Sequence, residues 1–244
     1  MNEMNYGILL NAGISLLICI ISLFLVRKLE YKPTQFRAQR LKFFFGMFWL
    51  SIGFIYALVT LIELLSLLGR FFTAEILFIT TVSLATIPVM SLSSFLSVAV
   101  FGRKKKTFIF PVIMLGACAS YVFFILTEGI KGPTMTEFGT KWFLAGPNNI
   151  LLVQLLGYTS FAMCLLLFFI AFRTKQKLTV FKIMAMATSI SMFFLAGYLD
   201  LLGAQGFDVL IVRGTIAIGA VFGYFAFYPT KTMVKLVKMI SAFD

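Results

Sequence analysis

The chain has 244 residues, of which 61% are hydrophobic and only 12% are charged, and its mean hydropathy is +1.01. A soluble globular domain is far less apolar, so these values exclude one and predict an all-α, polytopic membrane protein. The formal charge of +12 comes from Lys and Arg clusters between apolar runs, a pattern typical of membrane loops, so we expect lipid and not nucleic acid as their partner.

Seven apolar runs are long enough to cross about 30 Å of hydrocarbon. We therefore predict that residues 1–230 form one domain of seven transmembrane helices and that no soluble domain is present. The predicted spans are Tyr6–Val26, Phe43–Leu68, Ile76–Val100, Phe108–Leu126, Ile150–Phe172, Val180–Leu202 and Val209–Tyr228.

The basic residues are unevenly distributed over the connections. Seventeen of the twenty-one Lys and Arg residues fall in the ranges 27–42, 103–106 and 173–182 or in the tail after Pro229. Such clusters stay on the cytoplasmic side of a membrane. We therefore predict a protein of the plasma membrane with its N-terminus outside the cell and its C-terminus in the cytoplasm.

The longest outer connection, Thr127–Asn149, is rich in Gly and Pro. These residues interrupt regular structure, so we expect a lid or a re-entrant segment at the interface. Trp142 beside Lys141 is typical of an amphipathic anchor at the level of the headgroups.

Few polar side chains occur inside the spans, and they are the candidate functional residues because burial in hydrocarbon is costly. Asn11, Glu63, Tyr198, Asp200 and Arg213 all fall within about two helical turns of the outer surface. This layer predicts either a site for a small polar or charged ligand, or a structural ion pair of Arg213 with Glu63 or Asp200. Glu63 matches the depth of Arg213 better.

The third span is rich in Ser and Thr and has Pro88 at its middle. Such a helix either lines a polar cavity or forms the closely packed centre of a bundle. The candidate lining residues, including two from the fifth span, are Ser83, Thr86, Ser94, Gln154 and Tyr158.

The seventh span carries a GxxxG pair, Gly219 and Gly223, which predicts close packing against another helix. After it, residues 231–244 form a predicted cytoplasmic amphipathic helix that lies on anionic headgroups. Its basic face comprises Lys231, Lys235 and Lys238.

The chain contains no histidine, which excludes His-ligated metal or haem and catalysis by Ser-His or Cys-His pairs. The seventh span has no Lys for a retinal Schiff base, and the three cysteines fall in apolar runs. We expect no metal, no cofactor and no enzymatic activity.

Three features resemble the layout of a known family: the order of the spans, the basic first inner loop, and the tight turn 103–106 after a third span that begins around Glu75-Ile-Leu-Phe. It is the seven-helix N-terminal sensor region of some bacterial and archaeal histidine kinases, and the resemblance implies a sensor. The sequence ends at Asp244 without a signalling domain, so we expect a receptor-like module or an accessory subunit that associates with other membrane proteins or with itself. The alternative is a transporter or channel for a polar solute.

Overall fold

The computed structural model describes residues 3–29, 36–102, 105–201, 207–231 and 233–234. Within these ranges the chain forms eight α-helices, a short 3-10 turn and one β-hairpin. In chain order they are α1 (Glu3–Lys28), α2 (Phe36–Leu67), α3 (Phe71–Leu84), α4 (Thr86–Phe101), the turn Lys105–Phe108, α5 (Ile109–Glu128), β1 (Ile130–Thr136), β2 (Gly139–Leu144), α6 (Asn148–Arg173), α7 (Lys177–Leu201) and α8 (Phe207–Phe227).

Seven helical segments are long and apolar enough to cross a membrane, with α3 and α4 together forming the third. The predicted number and order of apolar helices are therefore confirmed, and the chain has the layout of a multi-pass membrane protein. The third segment begins at Phe71, earlier than the predicted Ile76.

The third span is interrupted at Ala85, between α3 and α4. Pro88 is the third residue of α4 and has no N–H with which to bond the carbonyl four residues earlier. A proline is tolerated in the first turn of a helix but not in its interior. Helix α3 therefore ends, and α4 begins, just before Pro88.

The main core surrounds α2. Its largest members include Phe45, Phe48, Trp49 and Ile52, which are fully buried. The three aromatic rings form edge-to-face and stacked contacts with one another. Helices α1, α3 and α4 pack on α2, while α8 packs on α1 and α7. A second cluster, around Tyr121 of α5, joins α5 and α6 to α3 and α4.

The connection between α5 and α6 is an antiparallel β-hairpin with a register shift between Lys131 and Thr134, whereas the sequence predicted a lid or re-entrant segment in which Gly and Pro interrupt regular structure. Strand β1 is largely exposed, and β2 buries Thr140, Trp142 and Leu144. Trp142 stacks on Phe78 of α3 with ring centroids 6.0 Å apart. The predicted headgroup anchor is thus a buried side chain, because the period-two pattern of β2 directs it toward the helices.

The hairpin docks on one end of the bundle, which we call the hairpin end. Its tip, Glu137–Phe138, packs directly on Gly7 of α1, where a Cβ would overlap the Glu137 carbonyl oxygen. The Phe138 ring also meets Phe207, at the start of α8, in an edge contact. The opposite end, where α1, α4, α6 and α8 terminate, we call the basic end.

The GxxxG pair lies inside the bundle. A Cβ at Gly219 would be 3.2 Å from the Ser189 carbonyl oxygen of α7, and one at Gly223 would be 3.0 Å from the Trp49 ring. The narrow face of α8 therefore packs within this chain and is not an open surface. The predicted tail helix falls mostly on residues 235–244, outside the described ranges.

Candidate functional site

A polar seam runs along the contact between α1 and α2 at the hairpin end. On α1, Asn11 and Ser15 are four residues apart and fully buried. On α2, Tyr56, Thr60 and Glu63 follow at helical spacing and are buried as well. Each helix thus directs a short polar stripe at its neighbour within an otherwise apolar contact.

Glu63 is held at the centre of this seam. Its Oε1 accepts a hydrogen bond of 3.0 Å from Asn11 Nδ2, and its Oε2 accepts one of 3.0 Å from the Thr140 backbone N–H. The hairpin can approach this closely because the residue before Thr140 is a glycine: a Cβ at Gly139 would be 2.8 Å from Glu63 Oε1. The carboxylate therefore connects α1, α2 and β2.

Arg213 enters the seam from α8. Its side chain is only 7% exposed, and Nη1 donates a 2.7 Å hydrogen bond to Ser15 Oγ. The guanidinium carbon lies 5.3 Å from the centre of the Tyr56 ring, within the range of a cation–π contact.

A cavity of about 220 Å³ lies beside the seam, enclosed by α2, α3, β2 and the first residues of α6 and α8. Both Glu63 and Arg213 line it, so the structure brings the two predicted charges to the wall of one cavity. Apolar side chains form most of the remaining wall. Strand β2 contributes Thr140, Lys141, Trp142, Phe143 and Leu144.

Two polar atoms of the β2 wall lack a hydrogen-bond partner among the described residues. They are Thr140 Oγ1 and Trp142 Nε1, and both side chains are more than nine-tenths buried. Buried polar groups are nearly always bonded, and a buried group without a partner costs about 1–3 kcal/mol. Both residues line the cavity, so a small side-chain shift would turn either donor toward an acceptor bound there.

The other members of the predicted layer lie elsewhere or outside the described side chains. Tyr198 is 37% exposed and packs beside Phe194 on the outside of α7, away from the cavity. The Asp200 side chain falls outside the described residues. Of the five predicted residues, Glu63 and Arg213 line the cavity, and Asn11 reaches it through Glu63.

The candidate lining residues Ser83, Thr86, Ser94, Gln154 and Tyr158 line neither this cavity nor the second one described below. Gln154 and Tyr158 are exposed on α6. Several hydroxyls of the third span bond instead to carbonyls of the same span, whereas Ser97 Oγ is buried without a partner among the described residues. Thr81 Oγ1, for example, donates to Leu77 and Thr86 Oγ1 donates to Ser83. In an apolar helix such bonds satisfy the hydroxyl without water.

Ser15 and Thr140 were not predicted as site residues, and Trp142 was predicted only as a headgroup anchor. Two signals were present. Asn11, Ser15 and Ser22 share one face of an apolar helix at helical spacing, and alternate residues of Thr140-Lys141-Trp142-Phe143-Leu144 follow the period of a half-buried strand.

A second cavity, of about 520 Å³, lies at the basic end. The two cavities share no lining residue, and the buried rings of Phe48 and Trp49 fill the length of α2 between them. Within the described ranges, no cluster of three or more Cys, Asp or Glu side chains can hold a metal ion.

Over the described residues, the long apolar helices define a class, the helical multi-pass membrane proteins, and this bundle contains a cavity with buried charged residues in its wall. No protein-family model, curated protein or solved structure matches the chain.

Proposed function

We propose that the chain is a non-enzymatic, receptor-like protein of the plasma membrane that binds a small charged molecule in the cavity at the hairpin end. The observation that carries the proposal is the cavity wall. It combines two buried charges of opposite sign with two buried polar atoms that lack partners among the described residues.

The donors in this wall indicate the chemistry of the ligand. Trp142 offers an N–H, Thr140 a hydroxyl, and Arg213 and Lys141 carry positive charge. Carboxylate oxygens suit such donors, and Glu63 on the same wall suits an ammonium group. A volume of about 220 Å³ is adequate for a molecule of amino-acid size. We therefore infer a small carboxylate or zwitterion as the ligand.

The separation of the two cavities favours a receptor-like role over an open pore. A solute that crossed the bundle would have to displace Trp49 and its aromatic neighbours, which are fully buried. Five hydroxyls of the third span donate to carbonyls three or four residues earlier in the same span, so these groups are satisfied without a water-lined path. A role as the ligand-binding subunit of a larger membrane complex agrees with the same site.

The chain contains two tryptophans, and this allows a direct test. Trp142 lines the cavity, whereas Trp49 is fully buried in the core. In purified Trp49→Phe protein, glycine, glutamate and succinate are titrated as charged probes and glucose as the uncharged control. We expect at least one charged probe to change Trp142 emission and raise the unfolding temperature, because a ligand that binds only the folded state stabilises it.

The matched variant is Trp142→Phe, which keeps an aromatic ring beside Phe78 but removes the N–H donor. We expect it to lose most of the stabilisation by that probe and to show no change in Trp49 emission. Equal stabilisation of both variants would contradict binding in this cavity, as would a Trp142 emission that no charged probe alters.

A further inference from the structure

The cavity at the basic end differs in character from the charged cavity at the hairpin end. It forms where α4, α6 and α8 end and where α2 and α7 begin, and Leu29 after α1 also contributes. Ten of its fourteen lining residues are apolar, and Phe95 and Leu167 are buried members of the main core. Its volume of about 520 Å³ is comparable to that of one phospholipid acyl chain.

The walls of this cavity favour an apolar occupant. Water gains few hydrogen bonds from apolar side chains, and genuinely apolar cavities stay dry or take up apolar molecules. The helices that form it are long and apolar enough to lie in a bilayer, where the molecules adjacent to them are lipids.

The charged residues of the cavity are both positive. Lys42 on α2 and Lys182 on α7 line it and are half-buried. No Asp or Glu lines the cavity, and none occurs among the described residues of the helix ends that surround it. A lysine can bury its methylene stem in an apolar wall and direct its ammonium to a phosphate.

We propose that this cavity is a specific site for an anionic phospholipid of the leaflet at the basic end. One acyl chain occupies the apolar part between α4, α6 and α8, and the phosphate of the headgroup lies between Lys42 and Lys182. The site holds the ends of helices from both halves of the chain together through one lipid.

General attraction of anionic headgroups to a basic protein surface would not distinguish these two lysines from others. Lys175, between α6 and α7, and Lys231, after α8, are exposed and do not line the cavity. A variant with both replaced by Gln loses the same charge at the same end of the bundle. It is therefore the control for Lys42→Gln/Lys182→Gln.

The test is native mass spectrometry of the purified full chain titrated with phosphatidylglycerol, with phosphatidylcholine as the neutral lipid of matched chains. We expect one tightly bound phosphatidylglycerol and weaker binding of phosphatidylcholine. In the Lys42→Gln/Lys182→Gln variant, affinity for phosphatidylglycerol should fall roughly fivefold for each ammonium lost. The Lys175→Gln/Lys231→Gln control should bind like the parent.

Two further arms separate a lipid site from a site for a free anion. Ala99→Phe narrows the apolar wall and leaves both lysines in place, so it should weaken lipid binding while the unfolding temperature of lipid-free protein monitors the fold. Inorganic phosphate should not displace the lipid at concentrations that leave the fold intact.

The proposal is overturned if the two double variants lose phosphatidylglycerol equally, if Ala99→Phe binds it like the parent, if phosphatidylcholine binds as tightly, or if phosphate competes fully.

Discussion

Arg213 keeps a positive charge inside the bundle because several groups surround it. The guanidinium has a hydroxyl acceptor in Ser15 at 2.7 Å, an aromatic face in Tyr56, and shares a cavity wall with Glu63. Removing a charge from water is costly, so a buried guanidinium is tolerated only where its N–H donors find acceptors. Ser15 is therefore a residue on which the site depends.

We predict that Ser15→Ala lowers the free energy of unfolding by roughly 1–3 kcal/mol, because it removes an acceptor from a buried charged donor. Ser22 provides the control: it is equally buried on the same helix, but its Oγ has no hydrogen-bond partner among the described residues. Ser22→Ala should be neutral or slightly stabilising. The measurement is unfolding of both variants by SDS titration in the same detergent micelles, and equal losses would contradict the role assigned to Ser15.

At the scale of single residues, the sequence predicted the charges of the site better than their partners. Arg213 and Glu63 are conspicuous because few ionisable residues occur within apolar spans. Ser15 and Thr140 are common residue types that do not stand out in the sequence. Their roles depend on which faces of α1 and β2 turn inward. The hydroxyls of the third span illustrate the converse: they are conspicuous in the sequence, yet those of Thr80, Thr81 and Ser91 are bonded to carbonyls of their own helices.

At the scale of elements, the hairpin was the part of the fold that could be predicted least well from the local sequence. Gly and Pro in β1 indicate interrupted structure, and β1 is indeed mostly exposed. Strand β2 is regular because its alternate residues pack on α2 and α3, a tertiary effect that overrides local propensity. The predicted helices, in contrast, are set by long apolar runs that require internally bonded backbone in hydrocarbon.

The hairpin docks through Gly7, and this contact can be tested with a matched glycine. A Cβ at Gly7 would overlap the Glu137 carbonyl, whereas a Cβ at Gly13 on the same helix would meet no atom within 4 Å. We predict that Gly7→Ala displaces the hairpin and destabilises the protein by roughly 1–3 kcal/mol, the usual cost of overpacking. Gly13→Ala should cost nothing, because alanine favours the helix.

The measurement uses Trp142 in the Trp49→Phe background. Displacement of β2 should expose the Trp142 indole, so its emission should shift to longer wavelength and acrylamide should quench it more strongly in Gly7→Ala protein. Gly13→Ala should leave emission and quenching unchanged. Identical quenching in the two variants would show that the tip contact does not hold β2 in place.

At the scale of the whole molecule, the two ends of the bundle have opposite chemical character. The hairpin end holds a small cavity with charges of both signs, and the basic end holds a larger apolar cavity with two lysines. The aromatic core around Trp49 separates them. A ligand bound at one end can affect the other through helices that reach both cavities, and α2, α6 and α8 contribute to each.

The distribution of charge also predicts how the molecule lies in the membrane. Most Lys and Arg residues occur in connections at the basic end, so the positive-inside rule places that end in the cytoplasm and the hairpin outside. The charged cavity would then bind solutes from outside the cell, and the lipid site would lie in the inner leaflet, which is rich in anionic lipid. The side of the membrane from which each site is reached therefore depends on this orientation.

We predict that this orientation can be read from two single cysteines, introduced in a background without the three native ones. Thr134→Cys lies on the exposed strand β1, and Lys175→Cys lies in the exposed turn between α6 and α7. A membrane-impermeant maleimide added to intact cells should label Thr134→Cys, since water reaches the hairpin from outside. Lys175→Cys should react only after the membrane is permeabilised. The reverse labelling pattern would show that the molecule has the opposite orientation, with the charged cavity facing the cytoplasm.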